Sequence, residues 1–110
     1  MVQARIERTS GDEQTAANGG GPATLVLENR FTFTDHEAFR HVIEDLGDRP
    51  PSDLTIDLSG LIYMDSAAVG MLLLLRERLD RIRIVLKGAN TPVRDLIRIA
   101  RLGTLFDLSE

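Results

Sequence analysis

The chain has 110 residues, a length that suits one domain over residues 1–110, and its formal net charge of −4 disfavours wholesale binding to nucleic acid. It contains no cysteine, which excludes disulfides, thiol catalysis and cysteine-based metal sites and agrees with a cytoplasmic location. Its apolar runs are far shorter than the ~20 residues of a membrane span, and its N-terminus lacks the apolar core of a signal peptide.

The N-terminal third predicts two strands separated by a loop. Partial alternation over residues 2–8 predicts a first strand, and residues 9–22 are small and polar, which predicts a flexible loop or insertion. Three glycines precede Pro22, but the Lys-Ser/Thr of a phosphate-binding loop does not follow them. Residues 23–28 form a β-rich run, and Phe31 and Phe33 continue its alternation.

The residues after Phe33 predict the first helix. Thr34 or Asp35 can cap its start, and Gly47 with the two prolines that follow can end it. Its apolar residues recur at helical spacing. They are Phe39, Val42, Ile43 and Leu46.

The middle of the chain predicts a strand followed by a long apolar helix. The strand covers residues 53–59 and ends at Gly60, and after a short loop the helix runs from about Ser66 to about Leu79. One stripe of this helix suits packing onto a sheet. It consists of Ala68, Leu72, Leu75 and Leu79, widened by Val69 and Leu73.

The last third predicts a strand over residues 83–87, a helix and a short strand over residues 105–108. The hydroxyl of Thr91 can cap this helix, Pro92 suits its first turn, and Gly103 can stop it. Strands that alternate with helices predict an α/β domain with a mixed, mostly parallel sheet and helices packed against it.

The start of the middle helix is the strongest functional signal. Asp65 and Ser66 can be simple caps, or they can mark a place where a negative charge is held or added. A second, largely apolar stripe follows, and it is either covered by another element or a partner-docking face. This second stripe consists of Ala67, Met71, Leu74 and Arg78.

Three stretches of the chain, in their order, resemble STAS domains, the family of bacterial anti-sigma-factor antagonists. They are residues 54–59, residues 63–73, and residues 85–88 with 91–93. The resemblance covers roughly residues 23–107 and implies a STAS-like single domain. It also implies phosphorylation of a helix-start serine as the switch of partner binding.

The usual phosphate acceptor of such domains is the second serine of an Asp-Ser-Ser motif, and the aligned position here is Ala67. Three explanations stay open. The chain is permanently unphosphorylated and always able to bind, Ser66 is the acceptor instead, or the alanine is an introduced substitution that locks the unphosphorylated form.

The resemblance implies a non-enzymatic partner-switching module with no cofactor and no metal. Its partner would be an anti-sigma factor, a serine kinase of the histidine-kinase-like ATPase type, and a phosphatase would be a further partner. The predicted docking surface is the loop over residues 60–63 together with Asp65, Ser66, Ala67, Gly70, Met71 and Leu74. The alternatives are a constitutive STAS subunit of a transport complex and a small-molecule or nucleotide-binding regulatory module.

Two further groups of polar residues carry open alternatives. Asp57 is either a polar contact near the switch position or a cap for the loop that follows its strand. The arginines at 94, 98 and 101 form a basic stripe on the last helix, which is either a solvated face or a contact for an acidic partner. His36 and His41 are five residues apart, not the four that place two metal ligands on one helix face.

Overall fold

The computed structural model describes residues 1–8 and 21–109, and this part of the chain forms one five-stranded sheet. Strand β1 pairs antiparallel with β2, and the remaining pairs are parallel, so the predicted mixed, mostly parallel sheet is confirmed. The loop predicted over residues 9–22 lies outside the described residues except for its last two. In sheet order the strands are β1 (Val2–Arg8), β2 (Ala23–Phe31), β3 (Asp53–Met64), β4 (Arg83–Lys87) and β5 (Asp107–Ser109).

Three helices connect the parallel strands, as parallel crossovers require. They are α1 (His36–Asp48), α2 (Ser66–Arg78) and α3 (Thr91–Ile99). Short 3-10 turns, Phe33–Asp35 and Leu102–Thr104, precede α1 and follow α3. The apolar faces of the helices and one face of the sheet form a single core, in which the rings of Phe31 and Phe39 lie 4.8 Å apart.

The two faces of the sheet differ sharply in chemistry. Ile56 and Leu86 point into the core and are almost fully buried, whereas Arg5, Asp57 and Lys87 lie on the opposite face, partly or fully exposed. Because side chains alternate between faces along a strand, this pattern describes a sheet covered by helices on one face. The protein is therefore a two-layer α/β domain.

Asp35 does not cap α1 with its side chain as predicted. It is 1% exposed, and its carboxylate accepts hydrogen bonds from the backbone N–H groups of Val2 at 3.0 Å and Thr32 at 2.9 Å. A buried carboxylate must be paired in this way, because an unpaired one would carry a large desolvation cost. Asp35 thus ties the first strand to the turn that follows β2.

Two other element ends differ from the sequence prediction. Strand β3 continues past Gly60 to Met64, because the second half of β2 supplies its hydrogen-bonding partner and two register shifts absorb the mismatch. Gly47 lies inside α1 and does not end it. A Cβ at Gly47 would lie 2.5 Å from the Arg78 guanidinium, which covers this position.

The last helix also begins and ends differently from the prediction. Asn90 caps α3, accepting from the Val93 N–H at 3.0 Å, so Thr91 is the first helical residue and not the cap. The helix stops because Arg101 adopts the left-handed conformation at φ 56°, two residues before Gly103. The last strand is consequently β5 at Asp107–Ser109, not residues 105–108.

Candidate functional site

Asp65 organises the junction between β3 and α2. One carboxylate oxygen accepts from the Ala68 N–H at 2.9 Å, which confirms the predicted helix cap. The other accepts from the Phe33 N–H at 3.1 Å, and the Asp65 N–H donates to the Phe31 carbonyl at 3.2 Å. Asp65 therefore holds the helix start and the turn after β2 against each other, with one hydrogen bond to each of its carboxylate oxygens.

The next two residues face solvent. Ser66 and Ala67 are both exposed, and the Ser66 hydroxyl makes no hydrogen bond with the rest of the described chain. Their backbone N–H groups belong to the first turn of α2, where a helix leaves its donors unpaired. The structure therefore places the predicted switch position, Ala67, at an accessible helix start.

Farther along α2 the second apolar stripe divides into two parts. Met71 is 3% exposed and packs in the core, so the prediction that it belongs to an exposed docking face is wrong. Its burial follows from α2 lying against α1 as well as the sheet, which widens the buried arc of the helix. Leu74, by contrast, is 51% exposed, and Gly70 is exposed with nothing within 4 Å of an added Cβ.

Exposed apolar side chains surround the start of α2. Phe33 is 69% exposed, Ile62 63% and Tyr63 41%, although Phe31 and Leu61 beside them are buried. The exposed and accessible residues in this region form what we call the α2-start surface. It comprises Phe33, Ile62, Tyr63, Ser66, Ala67, Gly70 and Leu74.

Phe33 was missed as a site residue by the sequence analysis, because its alternation with Phe31 resembles a continuing strand. The strand instead ends at Phe31, and a 3-10 turn directs Phe33 outward. The capping residues that follow, Thr34 and Asp35, were the available signal that the strand had already ended.

Asn90 supports the same surface from the start of α3. While its oxygen caps α3, its amide nitrogen donates to the Leu61 carbonyl at 3.1 Å. The segment that carries Ile62 is thereby fixed to a helix end. On the other side of this segment, the Arg30 guanidinium lies 4.8 Å from the centre of the Tyr63 ring.

Asp57 does not belong to this surface. It lies within β3 on the sheet face opposite the helices and accepts from the Ser59 hydroxyl at 2.7 Å and the Ser59 N–H at 3.0 Å. The Ser59 hydroxyl and N–H hold the pKa of the Asp57 carboxyl below its ordinary value, with smaller contributions from Lys87 and Arg5. The contact is therefore local and lies within β3, and the prediction that Asp57 caps a loop after its strand is wrong, because the strand continues to Met64.

The described residues contain no group of three or more histidine, aspartate or glutamate side chains placed to hold a metal ion. Within residues 1–8 and 21–109, no helix is both long enough and apolar enough to cross a membrane.

Comparison with known sequences identifies two matches. A family model described as "Mlab, STAS domain" matches residues 15–108. A STAS-domain containing protein from Pseudomonas aeruginosa (strain UCBPP-PA14) is 34% identical over 92 residues, which cover 82% of this chain and 90% of that protein.

Comparison with solved structures identifies the same fold. An anti-sigma factor antagonist from Mycobacterium paratuberculosis superposes with a TM-score of 0.80 at 19% identity, over 98% of this chain and 85% of that one. The anti-sigma factor antagonist SpoIIAA in its unphosphorylated form gives a TM-score of 0.72 at 17% identity, over 98% and 89% of the two chains. At these identities the likeness establishes the fold.

Proposed function

Because this chain belongs to the STAS domain family, we propose that it is a non-enzymatic protein-interaction module that binds its partner through the α2-start surface. One observation carries the proposal: the start of α2 presents small residues and exposed apolar side chains together. Large apolar side chains at a surface cost solvation, and several at one place are typical of an interaction site.

Gly70 adds a second argument for this surface. A glycine in a helix interior destabilises the helix by about 1 kcal/mol relative to alanine. No contact within the described chain requires a glycine here, because a Cβ at Gly70 would meet no atom within 4 Å. A partner whose backbone or side chain packs directly on α2 would explain why the position is kept free of a side chain.

The chemistry at position 67 determines how binding is controlled. A phosphoryl group adds a charge of about −1.5 to −2 at neutral pH, which would repel a partner shaped for a neutral helix start beside Asp65. Ala67 cannot accept phosphate, so the surface stays competent to bind. The proposed partner is an anti-sigma factor of the histidine-kinase-like serine kinase type. The chain would bind this partner constitutively unless Ser66 is phosphorylated.

A constitutive subunit of a transport complex is the second candidate function. Two observations favour it: the missing hydroxyl at Ala67, and a matching family model whose description names the Mlab type of STAS domain. In this case the same surface would bind a transporter ATPase, and no phosphorylation cycle would act on it.

The test is an affinity capture with four baits, followed by mass spectrometry and titration of the captured protein. The baits are the parent chain, Ala67→Asp, Leu74→Glu and Ile99→Glu. The last is a matched control, because Ile99 is 77% exposed on α3, outside the α2-start surface. Each variant is first checked for an unchanged circular dichroism spectrum.

Capture of a serine kinase that is lost with Ala67→Asp and Leu74→Glu, and retained with Ile99→Glu, would support the antagonist function. A transporter ATPase with the same pattern would support the second candidate. Retention of the partner by all four baits would contradict the assignment of the surface.

A further inference from the structure

Arg94 and Arg98 of α3, together with Arg101 just after the end of that helix, border a pocket that lies outside the α2-start surface. The pocket has a volume of about 420 Å³ and lies between α3, the Leu102–Thr104 turn and the carboxyl ends of β4 and β5. Its volume falls within the range of about 300–1,000 Å³ that is common for small-molecule sites. Carboxyl ends of parallel strands are also where α/β sheets most often hold ligands.

The interior of the pocket is apolar. Leu86, Ile97 and Leu108 line it. Leu86 and Ile97 are each no more than 3% exposed, so the apolar surface that is open to a ligand is that of Leu108 from the edge strand, which is 55% exposed. Gly103 leaves room there, because a Cβ at this position would already lie 3.2 Å from the Leu108 side chain. An aliphatic chain is the occupant that such walls favour.

The rim of the pocket is cationic. Arg94, Arg98 and Arg101, which the sequence places on one helix stripe, all line it. Arg94 and Arg101 form no ion pair with a carboxylate of the described chain. Arg98 approaches Asp95 at 3.8 Å, but both side chains are more than half exposed, so this pair neutralises little.

Apolar walls beneath guanidinium groups match one chemical class of ligand. We propose that this pocket binds a monomeric, single-chain aliphatic anion, with the chain against Leu108 and a carboxylate or phosphate at the arginines. Guanidinium groups suit both head groups because they donate paired hydrogen bonds to planar or tetrahedral oxyanions. The pocket shares no residue with the α2-start surface, so this proposal stands or falls independently of the proposed function.

The experiment is a titration of the ¹⁵N-labelled chain with decanoate, followed by amide chemical shifts. We expect saturable shifts centred on Ala89, Gly103 and Ser109, with half-saturation near or below about 1 mM. Decanol supplies the same chain without charge, and inorganic phosphate supplies the charge without a chain. Both should bind at least about tenfold more weakly.

Two pairs of variants locate the site. Arg98→Gln with Arg101→Gln should weaken decanoate about tenfold, whereas the matched control Arg40→Gln with Arg81→Gln should not. Leu108→Trp fills the pocket and should also weaken decanoate; because the chain has no other tryptophan, its emission additionally reports folding.

Three outcomes would overturn the proposal: no saturable shifts at these residues, equal affinity for decanol, or an unchanged affinity after the Arg98 and Arg101 substitutions. Binding to phosphatidylglycerol vesicles without binding to monomeric decanoate would also overturn it, because the basic rim would then contact a membrane surface instead of a bound molecule.

Discussion

The starts of α2 and α3 share one capping geometry and differ in what surrounds it. Asp65 and Asn90 each accept from the backbone N–H three residues later, at 2.9 and 3.0 Å. The second polar atom of Asp65 accepts from a neighbouring N–H, whereas that of Asn90 donates to a neighbouring carbonyl. The choice of aspartate or asparagine therefore follows from the tertiary contact and not from the cap.

The residues after each cap differ as well. Ser66 and Ala67 leave the start of α2 small and accessible, whereas the start of α3 carries Pro92, which rigidifies the first turn. A helix cap by itself therefore does not indicate a functional site. The α2 start differs because the segments next to it carry the exposed apolar side chains of Phe33, Ile62 and Tyr63.

The largest expected effect comes from removing the two caps. Asp65→Ala loses the cap and the bond to the Phe33 N–H, so we expect a loss of about 2–3 kcal/mol in the free energy of unfolding. Asn90→Ala also loses a cap and a tertiary contact, but both are hydrogen bonds between neutral groups, which are weaker than those to the Asp65 carboxylate, so we expect about 1–2 kcal/mol. Urea denaturation followed by circular dichroism measures both.

Exchanging the two residues sharpens this comparison. Asp65→Asn turns an amide N–H group toward the Phe33 or Ala68 N–H, and Asn90→Asp turns a carboxylate oxygen toward the Leu61 carbonyl, so each should cost about 1 kcal/mol. If both exchanges left stability unchanged, the caps would be interchangeable and the tertiary contacts would have no energetic role.

The end of α3 offers a smaller effect of opposite sign. Arg101 occupies the left-handed region that glycine adopts without strain, so Arg101→Gly should raise the free energy of unfolding by about 1 kcal/mol. The same substitution should weaken decanoate binding. A stabilised variant with full affinity would show that Arg101 has no part in the pocket's rim.

The two glycines within helices should respond differently to alanine. Gly70→Ala should stabilise the fold by about 0.5–1 kcal/mol, because its Cβ would extend into open space. Gly47→Ala should be close to neutral, since the gain in helix propensity is offset by displacing the Arg78 guanidinium from its place near Asp48. Thermal denaturation of the two variants side by side measures the difference.

The smallest effect concerns the exposed face of the sheet. The pKa of Asp57 is depressed in the folded protein, so its contribution is complete above the unfolded value of about 3.9 and is lost as the pH falls through the folded pKa. Asp57→Asn should therefore lose less stability than the parent between about pH 5 and pH 2. Urea denaturation of the parent and of Asp57→Asn across this pH range measures the difference.

Much of the fold was predictable because it follows local patterns. The alternation of Leu54, Ile56 and Leu58 and the helical spacing of Ala68, Leu72 and Leu75 indicate their elements and buried faces directly. What could not be predicted depends on neighbours distant in sequence. The extension of β3 to Met64 requires the partner strand β2, and it moves the end of the strand by five residues.

In the candidate site, too, the local features were predictable and the features that depend on distant residues were not. Asp65, Ser66 and Ala67 were placed correctly at a helix start because capping is local. The burial of Met71 depends on α1, the exposure of Phe33 depends on the turn held by Asp65, and the pocket beneath the arginine stripe depends on β5. These contacts are tertiary, and they cannot be predicted from the periodicity of a single segment.

Amide hydrogen exchange of the chain, with and without its captured partner, shows directly whether the α2-start surface contacts that partner. We expect slower exchange for the backbone of Phe33 and for residues 62–70, with no change along β1 or β5. Slower exchange confined to the edge strands or to α3, with residues 62–70 unchanged, would contradict it.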